Sequence, residues 1–214
     1  MKLVILSGGV DSSTCLALAK KNGDDAVALS FFYGQKHHRA ELLASKKIAE
    51  HYNAKHICLD LSKIFENSSS SLKAGSNLEI PKVAYKDQND LTTEIEFRNG
   101  VFISIATSIA MQYGADEIYY GAHSDDDGAV YPDCSEEFIG YLEKLVDIGT
   151  KGKVKLITPF KGENKVEVVR VGKELGVPYE LTYSCYEGTI PACGKCGTCI
   201  DRAKAFKENN INIE

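Results

Sequence analysis

Short apolar runs alternate with longer amphipathic stretches along almost the whole chain, and this alternation limits the folds open to it. Residues 3–6, 26–32, 56–61, 117–122 and 154–158 read as strands. Residues 12–21, 39–52, 99–113, 135–148 and 165–175 have helical spacing. In the first of these helices Cys15, Leu16, Leu18 and Ala19 share one face. Ser135 stands before Glu136 and Glu137 as an N-cap with two acids in the first turn. Gly114 closes one helix, and Gly176 and Pro178 close another. About five strand–helix units in series predict an α/β fold with a parallel sheet covered on both faces. A chain of 214 residues suits one such domain with a small appendage. We place the domain at residues 1–180 and the appendage at 181–214.

Residues 66–92 break the rhythm. Five residues, Asn67-Ser68-Ser69-Ser70-Ser71, then Gly75 and Pro81, predict a long loop or partly disordered insert, either a lid or a tolerated surface insertion. Lys and Arg number 25 against 30 Asp and Glu, for a net charge of −5. That balance disfavours a general grip on nucleic acid, because phosphate binding needs a basic surface. No apolar run approaches the ~20 residues that span a bilayer, and the first run is too short for a signal peptide. A cytoplasmic chain without a membrane or nucleic-acid partner is expected.

The first strand runs into Leu6-Ser7-Gly8-Gly9-Val10-Asp11-Ser12-Ser13 and then into a helix. A helix N-terminus offers unpaired N–H groups and the positive end of a dipole. Adjacent glycines let the backbone approach an anion, and Ser7, Ser12 and Ser13 can donate to phosphate oxygens. The segment therefore reads as a pyrophosphate cradle. It carries neither of the common nucleotide-loop signatures. The acid within it, Asp11, must cap the helix or meet a metal ion to be tolerated beside phosphate. A plain β–α turn is the competing reading.

Seven cysteines are present, and four of them fall close together as Cys185-x7-Cys193-x2-Cys196-x2-Cys199. An odd total without an export signal argues against a disulfide framework. Two short spacings in a row let one tight turn supply three ligands, eased by Gly194 and Gly197. Structural zinc is the expected occupant, with an iron–sulfur cluster and a redox dithiol as competitors. The metal should pin the C-terminal tail, including a helix starting near Asp201, against the sheet. A third segment, residues 121–138, follows a strand and is acidic at Asp125, Asp126, Asp127 and Asp133. Ligands bind at the carboxyl ends of strands in open parallel sheets, so these acids are candidates for magnesium or for a base. A solvated loop is the alternative.

Ser-Gly-Gly-Val-Asp-Ser-Ser resembles the PP-loop of the N-type ATP pyrophosphatases. Phe32-Tyr33-Gly34-Gln35-Lys36-His37, Arg98-Asn99, Tyr131-Pro132-Asp133-Cys134 with Glu137-Phe138, Thr158-Pro159-Phe160, Lys165 and Ser184-Cys185-Tyr186 extend the likeness. Together, and in order, they resemble the QueC family of 7-cyano-7-deazaguanine synthases. One departure is Glu96-Phe97, where the family usually carries a Pro-Gly-like turn. The resemblance implies a Rossmann-like domain of the adenine nucleotide alpha hydrolase type. It implies a ligase that turns 7-carboxy-7-deazaguanine, ammonia and ATP into a nitrile through an adenylated carboxylate and an amide. It also implies a homodimer, one structural zinc on the four cysteines, and magnesium with the ATP.

Carried over residue by residue, the resemblance places ATP along Leu6, Ser7, Gly8, Gly9, Val10, Asp11, Ser12, Ser13, Thr14, Cys15 and Leu16. Ser12, Arg98 and Lys165 are the catalytic candidates, the last two neutralising phosphate or the substrate carboxylate. Tyr33, Gln35, His123, Asp126 and Asp133 are the substrate-facing candidates. Asp133 would accept two hydrogen bonds from the guanine-like edge. Asp125 or Asp126 would serve magnesium, and Tyr33 or Phe31 would stack on a base. A variant that stops at the amide, and a tRNA-thiolating enzyme of the same superfamily, are the alternatives.

Overall fold

Side chains alternate across a strand, so one apolar run can feed two cores. Strand β1 (Lys2–Ile5) does this at the centre of the sheet. Leu3 and Ile5 join the core on one face, and Val4 with Leu6 joins the core on the other. The computed structural model describes residues 1–88, 90–123 and 131–212. It shows five parallel strands in the order β3-β2-β1-β4-β5, where β2 is Ala26–Phe32, β3 is Lys55–Asp60, β4 is Glu117–Tyr119 and β5 is Lys155–Ile157. The chain winds outward from β1 to β3, then returns to lay β4 against the free side of β1. The carboxyl ends of β1 and β4 thus flank the point where the winding reverses, the usual place for a ligand in such sheets.

Among the described residues six α-helices cover the sheet: α1 (Val10–Lys20), α2 (His38–His51), α3 (Arg98–Tyr113), α4 (Glu136–Thr150), α5 (Lys165–Glu174) and α6 (Gly197–Glu208). Helices α1, α2, α5 and α6 fill one core with Leu16, Ile48, Val168, Val169 and Phe206. Helices α3 and α4 fill the other with Phe102, Ile103, Ile139 and Val146. The Ser135 hydroxyl caps α4 by accepting from Phe138 N–H at 3.2 Å. Helix α1 starts before Ser12 because Gly9, with extended backbone, is its N-cap. Helix α6 starts before Asp201 because Cys196 caps it.

The serine-rich segment is the long irregular stretch its composition predicts, with one short turn at Tyr85–Asp87, but it is not loose. Ser70, Ser71, Leu72, Lys73, Ile80 and Tyr85 are buried. Ser71 N–H donates to Thr92 O at 2.7 Å, and Ala74 N–H donates to Gly34 O at 2.7 Å. Lys73 Nζ donates to the Tyr33 carbonyl at 2.5 Å. Buried hydroxyls here satisfy backbone groups that a longer side chain would displace, so the tract is tied down although its composition is that of a loop.

Candidate functional site

The loop after β1 is shaped by what a side chain at Gly8 would hit. Gly8 has φ +82°, and an added Cβ would stand 2.5 Å from Ser45 N in α2. Only glycine permits both the left-handed backbone and that approach. The two hydroxyls beyond it bind one another, Ser7 Oγ to Ser12 Oγ at 3.1 Å. Ser7 Oγ also accepts from Gly9 N–H at 3.3 Å, and Ser12 Oγ donates to Gly9 O at 3.3 Å. Gly9 gives α1 no side-chain cap, and Gly9, Asp11 and Ser12 bring the first turn of α1 to the wall of a cavity.

Asp11 enters this loop with two partners, the Lys165 ammonium and the His123 ring. Lys165 Nζ at the start of α5 lies 2.5 Å from Asp11 Oδ2 and 2.7 Å from Oδ1. His123 Nε2, beyond β4, is 3.7 Å from Oδ1. Burial works to raise the Asp11 pKa, but the Lys165 and His123 charges outweigh it and hold the carboxyl below its ordinary value.

A cavity of about 400 Å³ opens from this loop over the ends of β1, β2 and β4, within the usual size of small-molecule sites. Its far wall carries Arg98, whose Nη1 donates to Tyr33 Oη at 3.3 Å and whose Nε and Nη2 donate to Asn99 Oδ1 at 3.3 Å. These are neutral acceptors, and no ion pair of Arg98 occurs among the described residues. Tyr33 and Phe102 rings flank the guanidinium at 5.6 and 5.7 Å. Burial pushes the Tyr33 hydroxyl up to about 12 and those of Tyr120 and Tyr186 well above the ordinary phenol range, so all three remain neutral. Arg98 reaches the cavity through an unusual turn: Phe97, the residue before α3, has φ +53° in the left-handed region.

The cysteines close a second site. The sulfurs of Cys185, Cys193, Cys196 and Cys199 all lie within 4.8 Å of one another, and those of Cys193 and Cys199 are 4.0 Å apart. The edges of a tetrahedron with ~2.3 Å metal–sulfur bonds are roughly 3.8 Å. Backbone N–H groups of Cys193, Lys195 and Cys196 point at sulfurs at 3.3–3.4 Å, as thiolate acceptors require. The Cys199 thiol holds Cys196 well below the usual thiol range. The donor set fits one metal ion with every position filled by sulfur.

The profile of the family described as "Queuosine biosynthesis protein QueC" matches residues 1–210. The chain belongs to the QueC family. It is 40% identical over 212 residues to the 7-cyano-7-deazaguanine synthase of Archaeoglobus fulgidus, covering 98% of this chain and 87% of that protein. It is 42% identical over 208 residues to the enzyme of the same name from Nitratiruptor sp., covering 96% and 93%. The NMN synthetase of Francisella tularensis shares the fold, with a TM-score of 0.53 and 17% identity over 100% of this chain and 78% of that one.

The QueC-type residues expected from sequence fall into three groups. Ser7, Gly9, Asp11, Ser12, Tyr33, Gln35, Arg98, His123, Asp133 and Lys165 line the one cavity. Val10, Cys15 and Leu16 put their side chains into the core, as Thr14 does by bonding Val10 O at 2.9 Å and Tyr179 Oη at 3.0 Å. Ser13 is fully buried and its hydroxyl has no partner. None of these five residues lines the cavity, whereas Leu6 does. Asp125, Asp126 and Asp127 lie outside the described residues.

Within the cavity wall, several groups are already engaged. Asp133 Oδ2 accepts from Asn99 N–H at 2.9 Å, which caps α3. The Gln35 amide bonds Phe31 O at 3.2 Å, Tyr33 N–H at 2.9 Å and Glu41 Oε2 at 2.9 Å. Phe31 stacks on Phe102 with centroids 4.2 Å apart, so that face is unavailable to a base. Sequence reasoning missed Glu41, Tyr120 and the Tyr85–Tyr186 hydroxyl pair, which are 3.1 Å apart. Glu41 stands one helical turn from His37, a spacing that was available as a signal. The tyrosines carried none.

Proposed function

We propose that this protein is an ATP-dependent ligase that converts 7-carboxy-7-deazaguanine and ammonia into 7-cyano-7-deazaguanine, consuming two ATP. The observation that carries this reading is the end-to-end match to enzymes of that name, joined to a phosphate loop that opens into one cavity. A carboxylate oxygen attacks the α-phosphate and pyrophosphate leaves. Ammonia displaces AMP to give the amide. The amide oxygen takes a second adenylyl group, and loss of both amide protons and AMP leaves the nitrile. Each AMP departs with one of the two carboxyl oxygens, so no water is consumed.

The N-terminal end of α1 and the Ser7 and Ser12 hydroxyls take the departing pyrophosphate. Lys165, steadied by Asp11, faces the charge that develops there. Arg98 takes the substrate carboxylate, because a buried guanidinium with neutral neighbours requires an anion. Magnesium arrives with ATP as part of the substrate. Tyr33 and His123 bound the space for the ring, and Asp133 Oδ1, which accepts a long bond from the Cys134 thiol at 3.8 Å, accepts from the donor edge of that ring. Zinc on the four cysteines serves structure, since sulfur fills every position. Residues 1–180 form the catalytic domain and 181–214 its metal-bound appendage.

The protein acts in the cytoplasm on small molecules, as a homodimer. Exposed Tyr141, Leu145 and Ile148 share one face of α4 and support the dimer. Incubation with the deazaguanine acid, magnesium ATP and ammonium tests the function by product mass. The nitrile is expected; the amide alone, or no turnover, overturns it.

A further inference from the structure

The tail that carries the cysteines touches the phosphate loop directly. Tyr183 N–H donates to Gly8 O at 2.9 Å. The next residue, Ser184, lines the cavity. A Cβ built on Gly9 would lie 3.4 Å from Ser7 Oγ and 3.9 Å from Ser184 Oγ. The two hydroxyls therefore stand on the same side of the α1 N-cap.

Ser184 is held from two directions. Its carbonyl accepts from Thr198 Oγ1 at 2.8 Å, and its neighbour Cys185 belongs to the metal cluster. Its hydroxyl oxygen accepts from Arg202 Nη1 at 3.4 Å. Arg202 is itself fixed by Thr182 Oγ1 at 2.7 Å and Tyr179 O at 2.9 Å, both neutral. Because the Ser184 oxygen accepts from Arg202, its own proton remains free to donate.

We infer that Ser184 is a further hydroxyl of the diphosphate site, delivered by the cysteine segment and aimed by Arg202 as a positioning residue. The inference rests on the phosphate-loop reading above. It makes the cysteine cluster part of the machinery that shapes the ATP site, and not only an anchor for the tail. An anion seated on the α1 N-terminus would meet hydroxyls from both jaws, Ser7 and Ser12 from the loop and Ser184 from the tail. Arg202, one atom behind Ser184, adds positive charge without crowding the anion.

Calorimetric titration of the full-length protein with inorganic pyrophosphate plus magnesium, and separately with AMP, tests this. Ser184→Ala is expected to weaken pyrophosphate about tenfold, the loss of one hydrogen bond to an anion. It should leave AMP affinity, metal content and thermal midpoint unchanged. Ser184→Thr keeps the hydroxyl and should restore pyrophosphate binding. Unchanged pyrophosphate affinity in Ser184→Ala, an equal loss for AMP, or failure of threonine to rescue overturns the inference. A parent protein that binds no pyrophosphate overturns the phosphate-loop reading itself.

Discussion

The Lys165 ammonium and the Asp11 carboxylate meet at 2.5 Å across 154 residues of sequence. This pair explains how an acid is tolerated inside a phosphate loop: its charge is already matched before any ligand arrives. It also fastens the start of α5 to the start of α1, alongside the Thr14–Tyr179 hydrogen bond.

Lys165→Met should therefore leave Asp11 partly buried without its ammonium partner, with His123 still beside it. In the parent protein the Asp11 pKa is depressed, so its stabilising contribution is present above the unfolded value near ~4 and is lost as pH falls through the folded value. In the variant, burial dominates and the sign reverses. The stability difference between the two proteins should be largest near neutral pH and shrink below about pH 4 as Asp11 takes a proton. Urea unfolding at several pH values reads this out. A difference that does not vary with pH would remove the ion pair from the account.

Arg98 gives a different separation. If it receives the substrate carboxylate, Arg98→Met should raise the KM for the acid by roughly tenfold to a hundredfold, the range of a charge-assisted contact. The KM for ATP should change little. Stability without ligand should stay within about 1 kcal/mol of the parent, because a buried charge with no anion contributes little to the fold. Steady-state kinetics with each substrate varied in turn, together with a melt of the free protein, checks both halves.

Strand–helix order, the glycine turn after β1 and the gathering of the four cysteines were all legible in the sequence, and for a common reason. Each depends on local periodicity or on residues near one another in the chain, as in the Ser135 cap and the Cys193–Cys199 turn. What was not legible depends on distant partners. Lys165 gave no sign that it would meet Asp11, nor Tyr183 that it would bond Gly8. The serine tract is the loop expected, but its burial was not legible, because Ser70 Oγ and Ser71 N–H both bond the carbonyl of the distant Thr92. Gln35 and Asp133 were legible as residues of the cavity wall, but not their bonds to Glu41 and to the Asn99 N–H.

Removal of the metal should be costly. Three of the four ligands, Cys185, Cys196 and Cys199, sit in the same core as β1 and α3, so losing the metal leaves buried thiolates to protonate or repel. We expect chelation to lower stability by at least about 3 kcal/mol, or roughly 10 °C in the thermal midpoint for a chain of this size. Elemental analysis should find one zinc per chain, and thiol titration of the chelated protein should gain four reactive groups. Cys193→Ser, which alters the most accessible ligand, should show a smaller loss of the same kind.

Phe97 and Gly100 form a coupled pair that tests the turn before Arg98. Phe97 holds a left-handed backbone at φ +53°, and its exposed ring meets Phe138 edge-on with centroids 5.5 Å apart. The same ring lies where a side chain at Gly100 would be, so the glycine in the first turn of α3 is there to admit it. In the parent background, Gly100→Ala should destabilise by driving the ring out of place. In a Phe97→Ala background the ring is gone, and the same substitution should instead stabilise by about 0.5–1 kcal/mol, the helix preference of alanine over glycine. The double-mutant cycle, read by denaturant unfolding, should give a coupling of at least about 1 kcal/mol. Additive effects would mean that the ring does not set the residue at 100, and that the presentation of Arg98 owes nothing to this contact.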